Sequence, residues 1–216
     1  MIKIKNFVFN PFMENTYILY DETGECIIID PGCYEKHEQE TLSSFIAENN
    51  LKVVSLLNTH CHIDHVLGNA FVKNTYQVKL HIHRIDEAIL KAVKAYAPNY
   101  GFAHYEEADV DEYLDEGDQV RFGNSILDIV FVPGHSPGHI AFYNEEQRIC
   151  IGGDVLFAGS IGRTDLPGGD FNTLIESIHK KFFTMSDQMV VYTGHGPETT
   201  IGNEKLTNPF CAIKTA

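Results

Sequence analysis

The sequence has no stretch of about eighteen consecutive apolar residues, the length that a membrane-spanning helix requires. Its first residues, Met1 to Phe9, alternate in the manner of a strand and show neither the apolar segment nor the small-residue cleavage site of an export signal. The chain is therefore expected to be soluble and cytoplasmic, with no membrane partner. It also lacks basic clusters. Sixteen Lys and Arg are scattered among 30 Asp and Glu, and the resulting formal charge of −14 opposes contact with a phosphate backbone. Nucleic acid is excluded as a partner, and a small-molecule substrate is the expectation. The five cysteines (Cys26, Cys33, Cys61, Cys150, Cys211) show no CxxC spacing, and an odd number cannot all pair within one chain. A disulfide framework is excluded and reduced thiols are expected. Low-complexity segments and short repeats are absent as well.

What is present is a chain of 216 residues, 44% hydrophobic, able to bury one substantial core. This size fits a single domain over residues 1–216 or a tightly fused pair of similar halves. β-Branched and aromatic residues between turn signals predict strands at Lys3 to Phe9, Thr16 to Tyr20 and Glu25 to Asp30, an antiparallel meander. A helix over Glu35 to Asn49, a buried strand over Val53 to Leu57 and helical composition over Val66 to Lys73 follow. A short strand near Val78 to Ile82 precedes an amphipathic helix marked by Ile85, Ala88, Ile89, Ala92, Val93 and Tyr96. Pro98 and Gly101 end that helix, and the irregular stretch to Glu116 has the composition of a lid. Strands are predicted at Gln119 to Phe122, Ser125 to Val132, Ile140 to Tyr143, Arg148 to Ile151 and Met189 to Thr193, with a helix over Phe171 to Phe183. Strands followed by helix in both halves predict an α+β fold, an αββα four-layer sandwich.

Chemistry concentrates at strand ends. His60-Cys61-His62-Ile63-Asp64-His65 places three imidazoles and a carboxylate within six residues, on the loop after a buried strand. Imidazole and carboxylate are the ligands preferred by zinc and other first-row metals, and alternate side chains would send His60 and His62 to one ion and Asp64 and His65 to a second. Pro133-Gly134-His135 and Gly194-His195-Gly196 each put a His after an apolar strand, and Gly152-Gly153-Asp154 adds a carboxylate able to bridge two cations. Any one of these alone reads as an ordinary hydrogen-bonded residue; four agreeing places read as a metal site. Cys61 is expected to pack inward rather than ligate, and His37, His81, His83, His104 and His179 are read as non-ligands.

These motifs resemble the metallo-β-lactamase superfamily, and within it the short single-domain bacterial glyoxalase II type. The resemblance rests on the HxHxDH loop, Asp30-Pro31-Gly32, Pro133-Gly134-His135-Ser136-Pro137-Gly138-His139, Gly153-Asp154, Gly162-Arg163-Thr164-Asp165 and Gly194-His195-Gly196-Pro197, and it spans nearly the whole chain. It implies two divalent metal ions, zinc by default with iron or manganese also compatible. His60, His62 and His135 would hold the first, Asp64, His65 and His195 the second, with Asp154 bridging. It further implies a bridging hydroxide as nucleophile, with Asp64 both binding metal and orienting it. Asp30 is placed behind a ligating His, and Arg163 near the substrate carboxylate.

The implied reaction is hydrolysis of a thioester such as S-lactoylglutathione, whose thiolate leaving group needs no strong general acid. A lactone or ester substrate uses the same ligands. The rival chemistry is that of an iron-dependent persulfide (sulfur) dioxygenase, which this chain resembles at Gly162-Arg163-Thr164-Asp165. His62 and Asp154 are unlike the residues that flavin-linked diiron proteins and true β-lactamases carry at those places.

Overall fold

The computed structural model describes residues 1–213 and divides the chain into two compact units. The first comprises residues 1–114 together with 120–126. It begins with β1 (Lys3–Phe9), β2 (Glu14–Tyr20) and β3 (Glu25–Ile29), paired antiparallel in sequence as the meander predicts. Next come α1 (Lys36–Glu48), β4 (Lys52–Leu57), α2 (Ile63–Val66), α3 (Asn69–Tyr76), β5 (Leu80–Ile82), α4 (Glu87–Tyr96) and β6 (Glu112–Tyr113). From β3 to β6 the pairing is parallel. Strands covered on both faces read as continuous apolar runs, and Ile27, Ile28, Ile29, Leu56 and Leu57 are fully buried.

The second unit comprises residues 115–119 and 127 onward. Its elements are β9 (Ile140–Asn144), β10 (Ile149–Gly153), the small hairpin β11 (Leu156–Phe157) and β12 (Ser160–Ile161), α5 (Phe171–Lys180), β13 (Val190–Thr193), β14 (Thr199–Thr200) and α6 (Ile201–Thr207). The division between the units passes through β7 (Gln119–Phe122) and β8 (Ser125–Phe131). The sheet order is β14-β13-β10-β9-β8-β7. β10 and β13 are parallel neighbours, while β8, β9 and β10 pair antiparallel, as do β13 and β14.

Strand positions agree with expectation, while the helices after the metal motif do not. One helical stretch was predicted over Val66 to Lys73, but the chain forms α2 inside the motif and then α3, with Leu67 and Gly68 between. A side chain at Gly68 would lie 2.6 Å from Cys33 Sγ and 2.8 Å from the Pro31 carbonyl, so only glycine lets the chain pass there. The helix predicted to Phe183 stops at Lys180 and continues as a 3₁₀ turn over Phe182–Thr184. The tail holds α6, whose Thr200 side chain caps the Asn203 amide. After α4, Phe102, Tyr105 and Ala108 are buried in the core of the first unit, so the irregular stretch is anchored at three points.

Asp21 joins the β2–β3 turn to residues 123–125. Its carboxylate accepts from the Thr23 amide and hydroxyl (2.9 and 2.6 Å), the Asn124 amide (2.7 Å) and the Ser125 hydroxyl (2.8 Å). Burial works to raise this carboxyl, but the donated bonds outweigh it and hold the pKa at about 2. A depressed folded-state pKa contributes stability above the unfolded value, about 3.9, that is lost as pH falls through the folded one. Asp21→Asn should therefore destabilise by about 1–3 kcal/mol at pH 7. In denaturant titrations at several pH values, the gap to the wild type should close between about pH 4 and pH 2. A gap independent of pH would show that the charge contributes nothing.

Candidate metal centre

Parallel strands end at the same edge of a sheet, and this brings the first group of residues together. Asp30 follows β3, His60 follows β4 and Asp86 follows β5; the Asp30 amide still donates to the Leu57 carbonyl at 2.9 Å. Asp30 adopts φ +51°, a left-handed conformation that Asp tolerates better than bulky residues. Its carboxylate thereby turns onto the neighbouring loop. One oxygen accepts from the Thr59 amide (2.7 Å), the other from the Thr59 hydroxyl (2.5 Å) and from His65 Nδ1 (3.1 Å). With its proton committed to the carboxylate, the Thr59 hydroxyl offers a lone pair to His60 Nδ1 at 3.1 Å. One buried carboxylate therefore orients two imidazoles, and in the tautomer with Nδ1 as donor their Nε2 atoms are the candidate metal donors.

The rest of the loop is held by its backbone. The Cys61 amide donates to the fully buried Asp86 (2.7 Å), and the Asn10 side chain donates to the carbonyls of Asp64 (3.0 Å) and Gly32 (3.1 Å). The rings of His60 and His62 lie 4.8 Å apart and those of His60 and His65 4.1 Å apart. Asp64 and His65 sit on α2. Cys61 is fully buried in the core as expected, and burial pushes its thiol well above the usual range.

In the second unit, the parallel pair β10 and β13 ends with Gly153 opposite Thr193, and the Gly194 amide donates to the Gly153 carbonyl at 2.8 Å. Asp154 and His195 follow directly. His135 lies in the turn between β8 and β9. Its Nδ1 donates to the Arg163 carbonyl (2.7 Å), and its Nε2 lies 3.5 Å from Asp154 Oδ2. His195 Nε2 approaches the same oxygen, also at 3.5 Å. The Asp154 amide donates to His139 Nε2 at 3.0 Å. Gly162 is obligatory here: a Cβ on it would stand 1.9 Å from the Asp154 carbonyl.

The donor set in both units fits first-row metal ions. In the first unit Asp30, His60 and His65 offer atoms within 4.8 Å of one another. Asp30 is nevertheless occupied by Thr59 and His65, which gives it an orienting place. The predicted Arg163 side chain does not stand free: it makes a bidentate pair with Asp165 (2.7 Å for both bonds) on the surface, and its carbonyl holds His135. Sequence reasoning passed over Thr59, Asn10, Asp86, His139 and Glu14. Glu14 is fully buried, accepts from Thr16 (2.9 Å) and lies 3.9 Å from His65 Nδ1. Burial pushes its carboxyl well above the usual carboxylate range, with the charges of Asp30 and Asp64 adding to the rise against the lowering effect of His65. A carboxylate in a strand otherwise buried along its length was the available signal for Glu14; the others are recognisable only once strand ends are neighbours.

This geometry is that of a metallo-β-lactamase fold, and the profile of the metallo-β-lactamase superfamily matches residues 9–195, so the chain belongs to that superfamily. Among curated relatives, hydroxyacylglutathione hydrolase GloC of Haemophilus influenzae is 36% identical over 206 residues, 94% of this chain and 95% of that one. The mouse mitochondrial persulfide dioxygenase ETHE1 is 31% identical, over 90% of this chain and 70% of its own length. Among solved structures, the BLEG-1 B3 metallo-β-lactamase superposes with a TM-score of 0.88 at 33% identity, covering 97% of this chain and 99% of its own. The di-iron-bound form of TTHA1623 gives 0.85 at 34% identity, covering 95% and 99%. No helix among the described residues is long and apolar enough to cross a membrane.

Asn is isosteric with Asp and tolerates φ +51°, so Asp30→Asn should fold while losing the charge that orients His60 and His65. Metal affinity, read by competition with a chromogenic chelator, should fall by about 10–100-fold. Wild-type affinity in that variant would leave Asp30 a turn residue only.

Proposed function

We propose that the chain is a binuclear metallohydrolase that cleaves a thioester of the S-lactoylglutathione kind, through one centre composed of His60, His62, Asp64, His65, His135, Asp154 and His195. The observation that carries this reading is the convergence of His135 Nε2 and His195 Nε2 on a single Asp154 oxygen. A carboxylate flanked in this way suits a bridge between two cations, and the second cation would take its other donors from the HxHxDH loop. The relationship to GloC supports the thioester.

When bound, divalent ions would supply Lewis acidity, lowering the pKa of water toward neutrality and polarising the acyl carbonyl. The chain's own residues do the positioning. Asp30 and Thr59 hold His60 and His65 in the required tautomer, the Arg163 carbonyl does the same for His135, and the Asp64 carboxylate orients the nucleophile. Burial of His60, His65 and His135 keeps bulk water from their rings. The leaving thiol has a pKa of about 8.5, so its thiolate departs without a dedicated acid. Zinc is the proposed metal, with iron or manganese as the alternatives. The Arg163 guanidinium is proposed to exchange Asp165 for a substrate carboxylate. All five cysteines are free and buried, which supports residence in a reducing compartment, the cytoplasm.

A second reading, persulfide dioxygenase, is favoured by the relationship to ETHE1. Elemental analysis of protein purified without added metal separates the two when paired with S-lactoylglutathione hydrolysis and oxygen uptake on glutathione persulfide. About two metals per chain with thioester cleavage is the expected result. A single iron per chain with oxygen uptake and no cleavage would sink the hydrolase in favour of the dioxygenase.

A further inference from the structure

The first unit carries an aromatic face continuous with the metal loop. The turn between β1 and β2 displays Phe12 and Met13, 39% and 66% exposed, and Tyr100 after α4 is 57% exposed. Their rings form one connected group: Phe12 lies 6.1 Å from Tyr100 and 6.0 Å from Phe102, Tyr100 lies 5.9 Å from Tyr96, and Phe102 meets Tyr34 edge-on at 4.9 Å. Exposed apolar groups of this kind mark binding surfaces.

Three features indicate what this face receives. The face is tied to the chemistry: the turn that presents Phe12 also contains Asn10, which bonds the Asp64 carbonyl, and α4, which ends in Tyr96, packs on α2, which carries Asp64. It also carries little charge of its own: neither residues 6–16 nor residues 96–106 contain a Lys or Arg, and Lys94 on α4 is matched by Glu107 at 4.0 Å. Uncharged groups are therefore accepted there without an unpaired charge being covered. Finally, the adjoining Tyr105 is nine-tenths buried, and its hydroxyl has no hydrogen-bond partner among the described residues. A donor left unsatisfied beside an apolar face fits a ligand that brings an acceptor oxygen.

Building on the hydrolase reading, we propose that this face binds the acyl part of the substrate, and that the preferred thioesters carry an uncharged aliphatic or aromatic acyl group larger than lactoyl. Phe12, Met13 and Tyr100 would flank the chain and so set specificity; no new bond-making step is involved.

The test uses the metal-loaded enzyme with acetyl, hexanoyl and benzoyl thioesters of N-acetylcysteamine, an uncharged thiol. The kcat/KM should rise by about tenfold or more from acetyl to hexanoyl, given the extra methylenes placed against rings. In Phe12→Ser and Tyr100→Ser this ratio should fall by about threefold or more, whereas Leu206→Ser, an exposed change on α6, should keep the wild-type ratio. A flat chain-length profile in the wild type, or a ratio unmoved by both aromatic variants, overturns the proposal. Binding of hexanamide to the metal-free protein, followed through the aromatic proton signals, is a second readout. It should broaden Phe12 and Tyr100 signals in the wild type and not in Phe12→Ser. If no thioester is cleaved, the hydrolase reading fails, and the hexanamide result still judges the face. Sedimentation closes the remaining possibility: a dimer that Phe12→Ser dissociates would assign the face to a second copy of the chain and overturn acyl binding.

Discussion

The carboxylate of Asp30 is the point on which the candidate metal-binding loop of the first unit depends. An imidazole binds metal through one nitrogen only if the other is committed, and here a single charged acceptor commits two of them, His65 directly and His60 through the Thr59 hydroxyl. Taking that charge out of water is costly. The hydrogen bonds from Thr59 and His65 offset the cost, since bonds to a charged group contribute about 1.5–3 kcal/mol each. The left-handed backbone at Asp30 follows from the same need. With an ordinary strand continuation the side chain would follow the pleat of β3 and miss the loop after β4.

The second unit solves the same problem with a neutral acceptor. His135 is committed by a backbone carbonyl, that of Arg163, rather than by a carboxylate. A carboxylate partner raises the basicity of an imidazole as a ligand, and His65, bonded directly to Asp30, is the residue to which this applies. The device rests on backbone proximity, and Gly162 is where that proximity is made: any side chain there would strike the Asp154 carbonyl. The GRTD motif is thus explained first by packing, with its arginine contributing a carbonyl whatever its guanidinium does.

The sequence was most legible where the chemistry is local. Strands and the chemistry at their ends follow from apolar runs and turn signals, and the HxHxDH spacing announces ligands without any tertiary information. What was hidden depends on which strand ends become neighbours. Thr59 is an unremarkable residue until Asp30 lies beside it, and Asp86 is an ordinary helix-start acid until the Cys61 amide reaches it at 2.7 Å. The placing of α2 was missed for a different reason: a four-residue helix has no periodicity to read, and the break after it lies where the Gly68 amide donates to the Pro31 carbonyl at 2.7 Å, a contact between distant residues. Two-residue strands such as β6 and β14 escaped for the same lack of pattern.

The burial of so much negative charge has a direction. Around His65 stand Asp30, Asp64 and Glu14, and Glu14 shows the result, its carboxyl pushed up first by burial and then by its acidic neighbours. A fold that gathers carboxylates in this way without Lys or Arg among them leaves a field that a cation would neutralise, because a bound cation reverses the local preference for protonation. The chain as a whole is acidic, yet its other acids are mostly on the surface, where water screens them. Here screening is absent. A divalent ion held here would therefore relieve the repulsion among the buried acids, and on the proposed reading that leaves apolar contact at the adjoining face to discriminate among substrates.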